Sequence, residues 1–348
     1  MRILHILPTR RFSGAENVIC QIIDMFKDDS DIEMVYCSPE GSIRDALLAR
    51  DVAFLPLDKF SKQEIKRAIN EYAPDIIHAH DMRAAYLTVK VAGRIPVICH
   101  IHNNDKDMIK ISKKSVAFLL SSFKIKHIFW VSDSAFDSYL FKTFIKKKSS
   151  VLYNVISVDE CIRKSNSEMA VENVDVVYVG RFSYQKNIER FLYVCKKIVN
   201  EIGNVKVALL GDGPNKSDLI ELSKELKIDN NVEFLGFVDN PLAYVAKSKV
   251  MLMTSRFEGT PMAALEAMAL GTPIVSTPTD GLKYIVDEGV TGYLSDDDDN
   301  LARSAIKIIL DDSEYARLSE ASILRSKKLN DVSLYRAKLK EAYARCIK

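Results

Sequence analysis

The sequence predicts an α/β protein of two doubly wound, Rossmann-like domains. Three observations carry this reading. Short apolar runs of strand length alternate with helical stretches along most of the chain, which is the pattern of parallel sheets covered on both faces. A polar segment at 162–173, with RKSNSEMAVEN at its heart, interrupts the alternation before it restarts. And 348 residues are more than one hydrophobic core comfortably holds.

The first set of strands is expected at 3–7, 34–37, 53–57, 76–80, 97–101, 128–131 and 151–153. The second set is expected at 174–179, 205–210, 232–235, 250–253 and 274–276. The domains are therefore placed at 1–165 and 166–330. The tail from Ser313 onward reads as continuous helix.

Composition narrows the function classes. Hydrophobic residues at 47% and charged residues at 28% are ordinary for a soluble globular protein. A formal net charge of only +2 and a single Trp argue against nucleic acid as the main partner. The six cysteines lack paired spacing, and several lie in apolar runs, so they read as reduced core residues of a cytosolic protein. The start, MRILHILPT, reads as a strand rather than a signal peptide, and no apolar run is long enough to span a bilayer. A cytoplasmic location is expected.

Between Lys106 and Lys148 ten lysines stand against Asp107, Asp133 and Asp137, among apolar VAFLLSSF and YLFKTF segments. Such a surface suits the anionic inner face of the cell membrane. It equally suits helices whose apolar residues pack on the sheet while the lysines meet water.

Five places could carry chemistry. In RRFSGAEN, Ser13 and Gly14 open a helix whose amides could meet a phosphate. His78 and His80 end one strand, and His100 and His102 end another; alternate spacing puts each pair on one face. These four could hold a metal, or could serve capping and hydrogen bonding. In VYVGRFSYQKNIERFL, Arg181 and Lys186 flank a strand-to-helix turn, where a fork and a point charge suit a diphosphate. LLGDGPNK starts like a dinucleotide fingerprint, but Lys216 stands where the third glycine belongs, which disfavours a nicotinamide cofactor.

The fifth place is VMLMTSRFEGTPMAALEAMALGTPIVSTP at 250–278, read as strand, loop, helix and strand. Thr260 is expected as N-cap with Pro261 in the first turn, and Gly271 as the stop. Glu258 falls in the loop before the helix, where free amides and the helix dipole gather. Glu266 has apolar neighbours at helical spacing, so its carboxylate should lie on a packing face and need a partner there. The acidic run SDDDDN at 295–300 precedes a helix and reads as solvated first-turn acids rather than metal ligands.

EGTPMAALEAMALGTPIV, with Glu258 and Glu266 separated by seven residues, closely resembles the signature of the retaining glycosyltransferases of family 4, which have the two-domain GT-B architecture. That resemblance implies two Rossmann-like domains facing a central cleft, with the last helix, 331–348, joining the N-terminal domain. It places Glu258 beside the donor sugar, Glu266 on the nucleotide ribose, and the loop amides around Gly259, Thr260 and Pro261 at the sugar. Gly-Arg, four residues, Lys-Asn matches the family's donor-phosphate motif and assigns Arg181 and Lys186 to the diphosphate.

Gly14, Ala15 and Glu16 match its glycine-rich turn, with Ser13 where the first glycine usually stands. VEFLGFVDN resembles the base-binding loop, with backbone near Phe237 and Val238 at the nucleobase. PDIIHAHD and PVICHIHNN match the histidine segments. His102 aligns best with the histidine beside the reacting carbon, His100 is second choice, and His80 lines the cleft. Asn154 is expected as interdomain hinge material.

The implied activity is metal- and cofactor-independent transfer of a sugar from a nucleoside diphosphate, such as a UDP-sugar, to a hydroxyl of a polysaccharide or lipid-linked saccharide. A sugar-nucleotide epimerase of the same architecture and a noncatalytic sugar-nucleotide-binding partner are the alternatives.

Overall fold

The computed structural model describes residues 1–102, 107–166 and 171–347. Lys106 of the basic stretch and residues 167–170 of the polar segment lie outside the described residues.

The chain divides into two compact units, Met1–Asn154 with Val332–Lys348, and Val155–Asp331. The division falls directly after Asn154 rather than at residue 165. The reason is local: the amphipathic helix Val158–Ser165 packs on helices Pro241–Ala246 and Met262–Ala269 of the second unit.

The first unit is one sheet of seven parallel strands: β1 (Arg2–Ile6), β2 (Glu33–Pro39), β3 (Phe54–Leu57), β4 (Ile76–His80), β5 (Val97–Ile101), β6 (Ile125–Trp130) and β7 (Ser149–Val151). Their spatial order is β3-β2-β1-β4-β5-β6-β7, so the order reverses between β1 and β4. Alternation of side chains splits the sheet into two different faces. Leu4, Ile6, Ile77, Ala79, Cys99 and Ile101 join one large apolar core. The opposite face carries His5, His78, His80, His100 and His102, all buried.

Helix Val332–Ile347 belongs to this unit. Arg336 Nε donates to the Met25 carbonyl at 2.9 Å and its guanidinium pairs with Asp29, while Tyr343 lies edge-on to Phe26 and bonds His78.

The second unit has six parallel strands: β8 (Val174–Val179), β9 (Val207–Leu210), β10 (Val232–Gly236), β11 (Ser248–Met253), β12 (Ile274–Ser276) and β13 (Gly292–Leu294). The order is β10-β9-β8-β11-β12-β13, reversing between β8 and β11. Ligands of open parallel sheets bind outside the strand C-termini at such a reversal. Both the 181–187 loop and the 254–261 loop leave the sheet there. The two expected doubly wound units are what the structure contains.

Candidate active site

Glu258 is the centre of the site in the second unit. It is 4% exposed, and three side chains donate to its carboxylate: Lys186 Nζ at 2.6 Å, Ser255 Oγ at 2.6 Å and Gln185 Nε2 at 3.4 Å. Lys186 and Gln185 come from the loop after β8, while Ser255 comes from the loop after β11. Further bonds lock these loops together: Arg256 N donates to the Gln185 carbonyl at 2.8 Å, and Gln185 Nε2 donates to the Phe257 carbonyl at 3.0 Å. Arg256 also stacks on Tyr184 at 4.1 Å.

Lys186 is therefore not the solvated surface cation that a loop position suggests. Its ammonium neutralises a buried carboxylate, and removing it strands that charge. Arg181 differs. It is exposed, and among the described residues its guanidinium has no hydrogen-bond or ion-pair partner. The site thus holds one committed cation and one open fork.

Glu266 lies on helix Met262–Ala269 and is half-buried. The partner expected for its carboxylate is not found: among the described residues none hydrogen-bonds or ion-pairs with it. Burial pushes its pKa up to about 7, opposed by the charge of Lys164. A crowded carboxylate with open lone pairs is an acceptor for paired hydroxyls. The helix is preceded by Pro261 at φ −69°, ψ 120° rather than by Thr260: the φ of Pro261 would suit a helix, but its ψ is extended, so the helix begins at Met262. The chain leaves the helix through Leu270 and Gly271, the latter at φ +73°.

The loop Gly259, Thr260 and Pro261 is buried and backed by Gly281, where an added Cβ would come 1.5 Å from the Gly259 carbonyl oxygen. Gly213 plays a like part. A Cβ there would come 1.9 Å from the Phe182 carbonyl, so the Gly-x-Gly-Pro turn serves loop-to-loop contact between β8 and β9. After β10, Phe237 is 79% exposed and Val238 half-buried, leaving an aromatic face open to solvent.

The first unit holds the other expected residues. Gly14 is exposed at the start of helix Gly14–Met25, and an added Cβ would meet nothing, so folding does not demand glycine there. Ser13 and Thr9 instead donate to the buried Glu16. His102 lies just beyond the C-terminal end of β5, 8% exposed, next to His80. Burial pushes the pKa of His102 down to about 3 and those of His78, His80 and His100 well below the usual imidazole value, so these rings are neutral. Ligand atoms of His80, His100 and His102 fall within 4.8 Å of one another, as do those of His5, His78 and His80. His80 has both nitrogens in hydrogen bonds.

The acidic run is a helix start. Asp297 caps Asn300 N of helix Asp298–Leu310 at 2.8 Å. Asp298 and Asp299 pair with Arg190 and Lys197, each at 2.6 Å, so these acids are engaged rather than merely solvated.

Comparison with known proteins covers nearly the whole chain. Residues 12–160 match the model of Glycosyltransferase Family 4, and residues 162–325 match that of Glycosyl transferases group 1. The chain is a glycosyltransferase with the GT-B fold.

Among solved structures, HepE from Anabaena, in complex with UDP and glucose, superposes with a TM-score of 0.85 at 19% identity, covering 99% of both chains. N-acetyl-alpha-D-glucosaminyl L-malate synthase of Bacillus anthracis is 28% identical over 71% of this chain and 68% of its own length. An N-acetylgalactosaminyltransferase of Campylobacter jejuni, acting on a diphospho-undecaprenol-linked sugar, is 27% identical over 56% of this chain and 53% of its own length.

Sequence reasoning missed several residues that surround the candidate ones. Gln185 and Ser255 complete the Glu258 cage, and their closeness in sequence to Lys186 and Glu258 was the available signal. His5, Met34 and Tyr343 join the histidine face; only the pairing of β1 with β2 and β4 and the return of the last helix bring them there.

Proposed function

We propose that this transferase is a retaining enzyme that moves a sugar from a nucleoside diphosphate, a UDP-sugar, to a hydroxyl of a polysaccharide or lipid-linked saccharide. The observation that carries this reading is that the loops leaving the C-terminal ends of the central strands β8 and β11 carry an open guanidinium, Arg181, and the caged pair Lys186 and Glu258.

Breaking the anomeric C–O bond leaves the electron pair on the diphosphate and makes the sugar oxocarbenium-like. Stabilising the leaving group is then the largest contribution. Arg181 supplies two parallel donors to the diphosphate, and Lys186 adds a nearby positive charge. Glu258, held by three donors, is fixed beside the sugar with the buried loop Gly259, Thr260 and Pro261. Glu266 accepts from the ribose hydroxyls, and the backbone near Phe237 and Val238 holds the base. In the first unit, Gly14 offers backbone to the phosphate, and His102 is assigned to the transferred sugar.

The acceptor attacks the face that the leaving group vacates, which preserves the anomeric configuration. No protein nucleophile is invoked, and neither a metal nor a cofactor takes part. The related enzyme from Campylobacter jejuni, named for its action on a diphospho-undecaprenol saccharide, supports a lipid-linked acceptor here.

Attachment to an anionic membrane is part of the reading. No helix among the described residues is long and apolar enough to cross a membrane. A groove of about 710 Å³ on helices Met82–Val89 and Lys113–Ser122 is lined by apolar Ile111, Val116 and Leu120 and by Lys90, Lys113 and Lys124. Ile111 and Leu120 are exposed there, with Phe123 and Phe144 on the same stretch of chain.

The deciding experiment is turnover of nucleotide sugars with and without saccharide acceptors, in excess chelator. Release of nucleoside diphosphate that depends on acceptor supports a metal-independent transferase. Conversion of the nucleotide sugar without acceptor would make it an epimerase, and no turnover with any donor that raises the melting temperature would make it a binding partner.

A further inference from the structure

Three histidines of the first unit form a hydrogen-bonded line. His80 Nε2 is 3.0 Å from His5 Nδ1, and His80 Nδ1 is 2.8 Å from His102 Nε2. Ring centroids are 5.2 and 5.1 Å apart with interplanar angles of 26° and 19°. Those centroid separations are about what two ring radii plus one N–H···N bond add up to, so the rings meet edge to edge in nearly one plane. His78 stacks on His80 and His100 on His102, each at 4.3 Å, which fixes the ring planes from the side.

The far end of the line is decisive. His5 Nε2 lies 3.4 Å from Met34 Sδ, and both side chains are buried. A thioether sulfur accepts weakly and cannot donate. His5 Nε2 therefore carries the hydrogen, because a bare nitrogen there would face a bare sulfur. A neutral imidazole has a single N–H, so His5 Nδ1 must accept, and His80 Nε2 must donate to it. His80 Nδ1 is then an acceptor, and His102 Nε2 must donate to it. The last atom, His102 Nδ1, is left with a lone pair and no partner among the described residues.

We propose that Met34, His5 and His80 are positioning residues that lock His102 as the Nε2–H tautomer and present its Nδ1 lone pair as an acceptor for a ligand hydroxyl. The identity of that hydroxyl as one on the transferred sugar rests on the proposed transferase function; the tautomer does not. A buried acceptor without a partner is costly in the empty protein and is satisfied when a hydroxyl arrives, so the line favours a hydroxylated ligand over an apolar one. The determinant of His102 thus lies three strands away, on β2, passed through β1 and β4.

The test is long-range ¹H–¹⁵N correlation on histidine-labelled protein near neutral pH, with His102→Asn to assign the His102 signals among six histidines. A protonated, pyrrole-type Nε2 and a bare, pyridine-type Nδ1 at His102 are expected. A protonated Nδ1, a doubly protonated ring or a metal-bound nitrogen would overturn the proposal. Met34→Leu removes the sulfur while keeping the bulk, and should turn the single tautomer into a mixture. A pure Nε2–H form in that variant would show that Met34 sets nothing.

Turnover of His102→Asn separates this claim from the functional one. Unchanged turnover would remove His102 from the reaction and leave the tautomer result standing. A wrong tautomer sinks the proposal whatever the protein transfers.

Discussion

Lys186 Nζ sits 2.6 Å from Glu258 Oε1, joining the loop after β8 to the loop after β11 through a carboxylate that is 4% exposed. Losing the ammonium leaves a buried charge with only Ser255 and Gln185 as donors. Lys186→Ala should therefore lower stability by about 1 to 3 kcal/mol, more than a surface lysine would. Adding Glu258→Gln should restore most of that loss, as a double-mutant cycle by chemical denaturation would show. Additive losses in the double variant would mean that the pair is not coupled.

Glu266 makes stability depend on pH. Its ordinary value is 4.5 and burial raises it to about 7, so the folded state holds the proton more tightly than the unfolded state. Ionising it costs nothing below pH 4.5, costs progressively more up to about 7, and costs the full amount above. Glu266→Gln should thus be the more stable protein above that window, by up to roughly 3 kcal/mol, and match wild type at low pH. Affinity for UDP should move the opposite way and fall in the variant, because ribose hydroxyls donate best to the ionised form. Melting curves of both proteins across pH and calorimetric titration with UDP check both halves.

The buried histidines set the acid limit. His5 and His102 are lowered to about 3 from 6.5, and His78, His80 and His100 lie well below it, so all five bind protons only on unfolding. The histidines' contribution to stability is complete above pH 6.5 and is lost as pH falls below it. Each proton taken up only on unfolding tilts stability by about 1.4 kcal/mol per pH unit, so the fall below pH 6.5 should be steeper than one group alone would give. Acid unfolding is expected below the onset, with uptake of more than one proton. An unfolding transition without such uptake, measured by pH-stat titration, would contradict the buried neutral state.

The membrane reading needs a corrected set of lysines. Lys148 is not a free surface charge: its ammonium donates to the carbonyls of Ser122 at 2.5 Å and Ile125 at 3.1 Å. Lys114 and Lys142 pair with Asp107 and Asp137. Reversing charge at Lys113, Lys124, Lys146 and Lys147 should abolish flotation with phosphatidylglycerol vesicles and leave the melting temperature unchanged within a few degrees. Flotation that survives these changes removes the basic surface from the account.

Much of the fold was legible because parallel strands buried on both faces read as apolar runs, as at Val250 and its neighbours in β11. The pairing of Glu258 with Lys186 was not, since it needs two loops that lie far apart in sequence to leave adjacent strands. Thr260 offers the side chain that usually caps, but the extended ψ of Pro261 moves the helix start one residue further along, which the sequence does not reveal. The histidines stood out by spacing. That His5 joins them, and that a methionine ends their line, depends on the register of β1 against β2 and β4, which no local pattern reveals.

The most direct test of the proposed chemistry is Arg181→Ala, because Arg181 is exposed and holds no partner among the described residues. Truncation there should cost stability within about 0.5 kcal/mol. Losing a charge-assisted contact to the developing diphosphate should cost roughly 2.7 to 4 kcal/mol in the transition state, a fall in kcat of about a hundredfold to a thousandfold. The measurement is acceptor-dependent release of nucleoside diphosphate by wild type and variant, beside their melting temperatures. An unchanged melting temperature with turnover lowered by at least two orders of magnitude is the expected result. An unchanged melting temperature with near wild-type turnover would place the diphosphate elsewhere and contradict the mechanism.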